Sequence, residues 1–123
     1  MNLKKKGLKY KMINESKLYK KNCEPCSGKT PRLSNSEIFD NLKKINDWQT
    51  NEKNEMIFKK FKFKNFKLTL DFINQVGNLA EKESHHPDIS FGYGYCLIFI
   101  HTHAIKGLSI NDFILASKID RII

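Results

Sequence analysis

The stretch of sequence that decides the fold is residues 57–63, IFKKFKF, in which apolar and basic side chains alternate. Phe58, Phe61 and Phe63 stand among lysines at a spacing of mostly two, which is the period of a half-buried strand. We predict a strand with these rings inward and the lysine stems outward, where they also discourage unwanted edge pairing. Rings with interleaved lysines also suit a base-stacking platform for nucleic acid, but burial of the rings is the favoured interpretation.

Three further strands are predicted around this one. A strand opens at Trp48 and runs to about residue 52, and Lys53-Asn54 turns the chain into the alternating segment. Later, residues 89–93 and 95–102 form a second pair around Gly94, with the apolar run CLIFI at 96–100 suited to a central strand. Because both pairs are joined by short turns, each is a hairpin and the sheet is antiparallel.

Helical patterns occur in three places. Ser34 and Glu37 have the S-x-x-E form of a capping box before a helix over about 35–46. A second helix, over 66–84, has an apolar face composed of Phe66, Leu70, Ile73, Val76 and Ala80, widened by Phe72 and Leu79. A third follows Ser109 as its N-cap, with Asp112 near the positive end of the helix dipole. The order α-β-β-α-β-β-α predicts an α+β fold, a four-stranded antiparallel sheet with helices packed on one face. The remaining surface then needs either a partner or polar side chains, and we expect a homo-oligomer.

The length of 123 residues indicates one domain, and the net charge of +9 is concentrated at its start. Residues 1–29 contain nine lysines against two glutamates. We therefore predict a basic, flexible N-terminal tail over 1–29 and a folded domain over 30–123; the alternative is an arm that touches phosphate or an acidic partner. Since the charge is not on the fold, nucleic-acid binding is not expected. No apolar run is long enough to span a membrane, and three cysteines without a secretory signal predict a cytoplasmic protein.

Cysteine and histidine side chains are the candidates for chemistry. Cys23-Glu-Pro-Cys26 has the spacing of half a zinc site but no second pair follows it. All four histidines lie between residues 85 and 103, and a strand would point His101 and His103 to the same side. Histidines that titrate near neutral pH suit proton transfer, whereas three of them would also suit zinc; the residues alone leave both possibilities open.

One set of spacings resembles the pterin-4a-carbinolamine dehydratase family. The resemblance runs from about Ser34 to the C-terminus, and the matching positions are Glu81, His85-His86-Pro87, Tyr93, His103 and Asp112. It implies a hydro-lyase of pterin cofactor recycling, which dehydrates 4a-hydroxytetrahydropterin (the tetrahydrobiopterin form) to quinonoid dihydropterin. It implies no metal and no organic cofactor. The reaction loses hydroxide from C4a and a proton from N5, so acid and base groups flank one ring.

The same resemblance assigns roles to the site residues. His85 and His103 are expected to form the acid/base pair, His86 to bind and orient the pterin, and Pro87 to fix the backbone that presents both histidines. His101 is not expected to be catalytic.

Three further assignments complete the predicted site. Glu81 either holds the proton of His85 or is an exposed helix carboxylate. Trp48 either lines the pterin pocket or lies in the core, and Asp112 either serves the site or is only a helix-start charge. Animal relatives also bind a transcription factor, so a protein-binding or transcriptional co-regulator module is the alternative function. The predicted oligomer is a dimer or tetramer.

Overall fold

The computed structural model describes residues 17–123 of the chain. Its regular elements are, in order, α1 (Asn35–Leu42), β1 (Gln49–Thr50), β2 (Ile57–Lys62), α2 (Phe66–Glu83), β3 (Asp88–Gly92), β4 (Tyr95–Ile100) and α3 (Ile110–Asp120). Short 3-10 turns occur at Leu18–Lys20 and His103–Ile105. Within residues 17–123, no helix has the length and apolar character needed to cross a membrane.

The four strands form one antiparallel sheet in the order β1-β2-β4-β3. The α+β fold and both hairpins predicted from the sequence are therefore confirmed. The β3–β4 hairpin is closed by Tyr93 and Gly94, and Gly94 has a φ of +78°. A side chain at Gly94 would place its Cβ 2.9 Å from the carbonyl oxygen of Phe63, so this tight turn requires glycine.

The core-facing side of β2 differs in part from the prediction. Phe61 faces the core, but Phe58 lies on the opposite face of the sheet, beside Phe99 of β4 at a ring distance of 6.0 Å. Ile57 and Lys59 occupy the other inward positions, since side chains two apart on a strand share a face. The prediction that Phe58 points inward and all lysines outward is wrong. Lys59 is half-buried, and its Nζ lies 2.8 Å from a carboxylate oxygen of Asp120 at the end of α3.

Helix α2 has the predicted bounds but a rotated buried face. Phe72 sets the rotation, because its ring packs at 4.8 Å from Phe61 and 5.0 Å from Phe63. The side chains buried with it are Thr69, Val76, Ala80 and Glu83. Phe66 is 44% exposed and Leu70 is also exposed, so their predicted place on the buried face is wrong.

The helices α1 and α3 begin as the sequence predicts. Ser34 and Glu37 form the reciprocal capping box of α1, which ends at Leu42 rather than near residue 46. Helix α3 is buried on nearly all sides, with Phe113, Leu115, Ala116 and Ile119 in the core. A helix that is buried nearly all round lies inside its domain, and α3 packs against α2 and against the 3-10 turn at Leu18–Lys20.

Residues 17–26, predicted to belong to a flexible tail, pack along α3 in the structure. Leu18 is only 2% exposed and belongs to the core cluster. The backbone N–H of Glu24 donates to Oδ1 of Asn111, and Nδ2 of Asn111 donates to the carbonyl of Glu24. This segment is therefore part of the folded body, and the boundary predicted at residue 30 lies too late. The rest of the predicted tail, residues 1–16, lies outside the described residues.

Candidate active site

The end of α2 places two adjacent histidines in opposite environments. Ser84 adopts a left-handed conformation with a φ of 54°, and the N–H of His85 closes the helix on the carbonyl of Ala80 at 3.2 Å. Pro87 then leads the chain into β3. As a result His85 points inward and is 7% exposed, whereas the side chain of His86 is 60% exposed.

The carboxylate of Asp112, on α3, is hydrogen-bonded to the ring of His85. Its Oδ1 lies 2.7 Å from Nε2 of His85, and its Oδ2 accepts hydrogen bonds from the Thr102 hydroxyl and the Ser109 N–H. Asp112 has no exposed surface. Because the carboxylate only accepts, Nε2 of His85 carries the proton and Nδ1 of the neutral ring has the free lone pair. Asp112 is thus both the helix-start charge and a partner of the candidate site.

On its other side His85 faces a thiol. Nδ1 of His85 lies 3.9 Å from Sγ of Cys26, and Nδ2 of Asn111 donates to the same sulfur at 3.0 Å. Neither contact is predicted by the sequence. The Cys-x-x-Cys spacing drew attention to Cys26, but no local pattern connects it with residues 59 and 85 positions further along the chain.

Glu81 contacts His86 and not His85. Its Oε2 lies 2.5 Å from Nε2 of His86, in a pair that is exposed on both sides. In a continuous helix Glu81 would lie one turn before His85, and their side chains would be neighbours. The helix ends at Glu83, so the two side chains are not brought together in this way. The carboxylate that holds His85 is instead Asp112.

The other two histidines lie at the same end of the sheet. The rings of His101 and His103 are 4.0 Å apart, although β4 ends at Ile100 and His103 opens a 3-10 turn. They line a cavity of about 350 Å³ together with Glu55, Met56 and Lys106. Nε2 of His101 is 3.6 Å from a carboxylate oxygen of Asp88, the residue after Pro87. The start of β3 and the end of β4 lie side by side, so all four histidines are found at the same end of the sheet.

Trp48 and Tyr93 lie away from the histidines. Trp48 is almost fully buried, packs edge-on against Phe61, and donates from Nε1 to the carboxylate of Asp120. This is the core position that the sequence analysis gave as one of two possibilities. Tyr93 is exposed at the turn of the β3–β4 hairpin, whose opposite end carries the histidines.

The surroundings of Cys23 do not favour a thiolate. Burial, together with the nearby Glu83 carboxylate, raises the pKa of the Cys23 thiol to about 12. Burial opposes ionisation of Glu83, but hydrogen bonds from the Cys23 N–H and from Lys118 hold its pKa below the usual range. Among residues 17–123, no three His, Cys, Asp or Glu side chains are grouped so as to hold a metal ion.

Comparison with known proteins connects this arrangement to a family. The model of the pterin 4 alpha carbinolamine dehydratase family matches residues 31–122, which includes every histidine and Asp112. The chain belongs to the pterin 4 alpha carbinolamine dehydratase family. The resemblance predicted from the sequence is thereby confirmed.

Individual relatives agree over most of their length. This dehydratase-family chain is 41% identical over 107 residues to a relative from Rubrobacter xylanophilus named for the same family, covering 87% of this chain and 99% of the relative. A structure described as a transcriptional coactivator/pterin dehydratase from Brucella melitensis superposes with a TM-score of 0.72 at 33% identity, over 75% of this chain and 98% of that one. A pterin dehydratase-like protein described as a RuBisCO assembly factor gives a TM-score of 0.55 at 26% identity, over 62% and 88%.

Proposed function

We propose that this protein dehydrates 4a-hydroxytetrahydropterin, in its tetrahydrobiopterin form, to quinonoid dihydropterin, and so acts as a hydro-lyase in pterin cofactor recycling. The observation that carries the proposal is the pair formed by buried His85 and fully buried Asp112. A carboxylate on one ring nitrogen fixes the tautomer and stabilises the imidazolium that forms when the other nitrogen accepts a proton. Membership of the dehydratase family supplies the substrate class.

The reaction needs two proton transfers on one ring. The C4a–O bond breaks, the departing hydroxide takes a proton and leaves as water, and N5 loses its proton as the C4a–N5 double bond forms. In our proposal Nδ1 of His85 takes the N5 proton, and the imidazolium of His103 protonates the leaving hydroxide. His103 is suited to this role because it is exposed and lines the cavity at that end of the sheet.

The exposed pair of His86 and Glu81 serves to bind and orient the pterin. Nε2 of His86 contacts Oε2 of Glu81 at 2.5 Å, which leaves Nδ1 of His86 to contact a ligand. Pro87 fixes the backbone between this pair and β3. Trp48 is left out of the proposed site because its ring lies in the core.

The test is the rate of pterin dehydration by His85→Ala and His103→Ala. We expect each variant to lose about 10²–10⁴-fold in kcat, the range that general acid–base catalysis contributes. Imidazole added to the buffer should restore part of the activity of His103→Ala, because residue 103 is exposed. It should not restore the activity of His85→Ala, because residue 85 is buried. Circular dichroism and urea unfolding serve as controls for folding. Folded variants that both keep wild-type turnover would contradict the proposal.

We further propose a homo-oligomer, a dimer or tetramer. Strand β3 is at the edge of the sheet, and Phe91 on it packs at 6.0 Å from Phe66 of α2 while both rings remain exposed. Light scattering on the purified protein should give a multiple of the 14.4 kDa chain mass, and a monomer at all concentrations would contradict this. The three free cysteines agree with the proposed cytoplasmic location.

A protein-binding role, as a transcriptional co-regulator, is the second candidate. It is favoured by the solved relative described as a transcriptional coactivator and by exposed apolar side chains on α2, Phe66, Leu68 and Leu70. Substituting these three residues by polar ones should abolish capture of a regulator and leave the dehydration rate unchanged. A variant with these three substitutions that loses dehydration but still captures the regulator would contradict the binding role.

A further inference from the structure

The thiol of Cys26 forms the outer end of a chain of three functional groups. Its Sγ lies 3.9 Å from Nδ1 of His85, whose Nε2 lies 2.7 Å from the Asp112 carboxylate. A nucleophile, a base and a group that orients the base, in this order, are the arrangement that activates nucleophilic side chains in proteins. The dehydration proposed above uses His85 and Asp112 but gives no role to the thiol.

Three polar groups contact the sulfur: Nδ1 of His85 at 3.9 Å, Nδ2 of Asn111 at 3.0 Å, and the carbonyl oxygen of Glu24 at 3.7 Å. Since Asp112 fixes the proton on Nε2, the lone pair on Nδ1 of His85 is available to take the thiol proton at the moment the sulfur reacts. Nδ2 of Asn111 donates to the sulfur at 3.0 Å, and this amide is itself held by the carbonyl of Glu24 at 2.7 Å. An N–H donor and an imidazolium both stabilise negative charge on sulfur.

The other two cysteines have unlike surroundings. Cys23 is half-buried beside the Glu83 carboxylate, which disfavours a second negative charge. Cys96 is fully buried in β4, where burial raises its pKa to about 11. Cys26 is exposed, so an electrophile can reach it directly.

The thiol of Cys23 shares one contact residue with Cys26. Both sulfurs contact Asn111: Sγ of Cys23 lies 3.6 Å from its carbonyl oxygen, and Sγ of Cys26 lies 3.0 Å from its Nδ2. Glu24 and Pro25 alone separate the two residues in the chain. Both sulfurs therefore contact the first turn of α3.

We propose that Cys26 is a nucleophilic thiol that reduces hydroperoxides and that Cys23 resolves the product into a Cys23–Cys26 disulfide. In the first step the thiolate attacks the outer peroxide oxygen, the S–O bond forms and the O–O bond breaks. Sulfur is oxidised by two electrons to the sulfenic acid, and the peroxide leaves as an alcohol, or as water from hydrogen peroxide, after taking one proton. In the second step the Cys23 thiol displaces hydroxide from the sulfenic sulfur, and its proton completes a water molecule.

The disulfide changes the surroundings of the candidate active site. Sulfur bonded to Cys23 has no proton to share with Nδ1 of His85, so this histidine loses its thiol partner. The reactivity of Cys26 is a property of the thiol and does not depend on whether the protein dehydrates pterins. The two proposals can therefore fail separately.

The first test is the rate at which iodoacetamide alkylates each cysteine, followed by peptide mass spectrometry at about pH 6, where an ordinary cysteine is almost entirely protonated. We expect Cys26 in the folded protein to react about tenfold faster than the same cysteine in urea-unfolded protein. His85→Gln should remove this acceleration, whereas Glu24→Gln, which changes a neighbouring charge and keeps the backbone contacts, should not. A folded Cys26 that reacts no faster than the unfolded one overturns the proposal without any variant.

The second test follows oxidation by one equivalent of hydrogen peroxide. The mass of wild-type protein should fall by about 2 Da as Cys23 and Cys26 form a disulfide. A reductant should restore the original mass and both thiols. In Cys23→Ser the sulfenic acid should persist, with a gain of about 16 Da, and be trapped by dimedone at residue 26. Oxidation at Cys96 or at methionine while Cys26 stays reduced would contradict the proposal.

Discussion

Replacing Asp112 with Asn separates the catalytic role of this carboxylate from its structural role. The amide oxygen of Asn can take the position of Oδ2 and keep the hydrogen bonds from Thr102 and Ser109. Its NH₂ group then faces Nε2 of His85, where Oδ1 was 2.7 Å away. An amide N–H donates, so Nε2 becomes the acceptor and the proton of His85 moves to Nδ1. The nitrogen that we propose as the base is then blocked.

The two expected losses differ in size. All three hydrogen bonds to Asp112 lose the contribution of a charged acceptor, about 1 kcal/mol each, which lowers the free energy of unfolding by roughly 2–3 kcal/mol. Turnover falls further, by about 10²–10⁴-fold, which corresponds to roughly 3–5 kcal/mol in the activation free energy. The activity loss must therefore be measured on protein that is fully folded at the assay temperature.

The assay combines initial rates of pterin dehydration, urea unfolding and nitrogen NMR of the histidine rings. Asp120→Asn is the matched control, because Asp120 is a mostly buried carboxylate of the same helix that bonds Lys59 and Trp48 instead of a histidine. It should lose stability and keep its turnover. If Asp112→Asn retains turnover within a few-fold of wild type, or if His85 keeps its proton on Nε2, the assigned role of Asp112 is refuted.

Three further predictions concern stability, each measured by urea unfolding. Leu18→Ala should lower the free energy of unfolding by about 2–5 kcal/mol, since this core side chain is 2% exposed. Gly94→Ala should lower it by roughly 1–2 kcal/mol, because alanine at a φ of +78° is strained and its Cβ meets the carbonyl of Phe63. The depressed pKa of Glu83 means that its contribution is complete above the usual glutamate range and is lost as the pH falls through the lower, folded pKa. Glu83→Gln should therefore show a smaller loss of stability on acidification than wild type.

Each of these has a contradicting result. An unchanged midpoint for Leu18→Ala would mean that residues 17–26 do not belong to the folded body. For Gly94→Ala the corresponding result is unfolding indistinguishable from wild type. Parallel acid-unfolding curves for wild type and Glu83→Gln would show that Glu83 is not linked to folding.

Local patterns in the sequence predict the elements of this fold well. The capping box at Ser34, the N-cap at Ser109 and the turn at Gly94 depend on residues within a few positions, and all three lie where predicted. Lys59 shows where such patterns fail. Its place on the inner face of β2 depends on Asp120, 61 residues further on, and periodicity alone predicts a solvent-facing lysine.

In the candidate site, too, local patterns predict some features and long-range contacts decide others. The spacing of the histidines and the family resemblance predict which residues gather at one edge of the sheet. The partner of His85 could not be chosen, because Glu81 and Asp112 both carry a carboxylate and only the end of α2 at Glu83 directs Glu81 to His86. The packing of residues 17–26 on α3 depends on Asn111, a buried amide with no distinctive sequence signal.

The rate of dehydration of enzymatically generated 4a-hydroxytetrahydropterin tests the central claim most directly. Absorbance is followed with wild-type protein, with His85→Ala and without protein. We predict acceleration in proportion to the concentration of wild-type protein and none with the folded His85→Ala variant. Wild-type protein that is folded and leaves the spontaneous rate unchanged would contradict the claim that this chain is a pterin dehydratase.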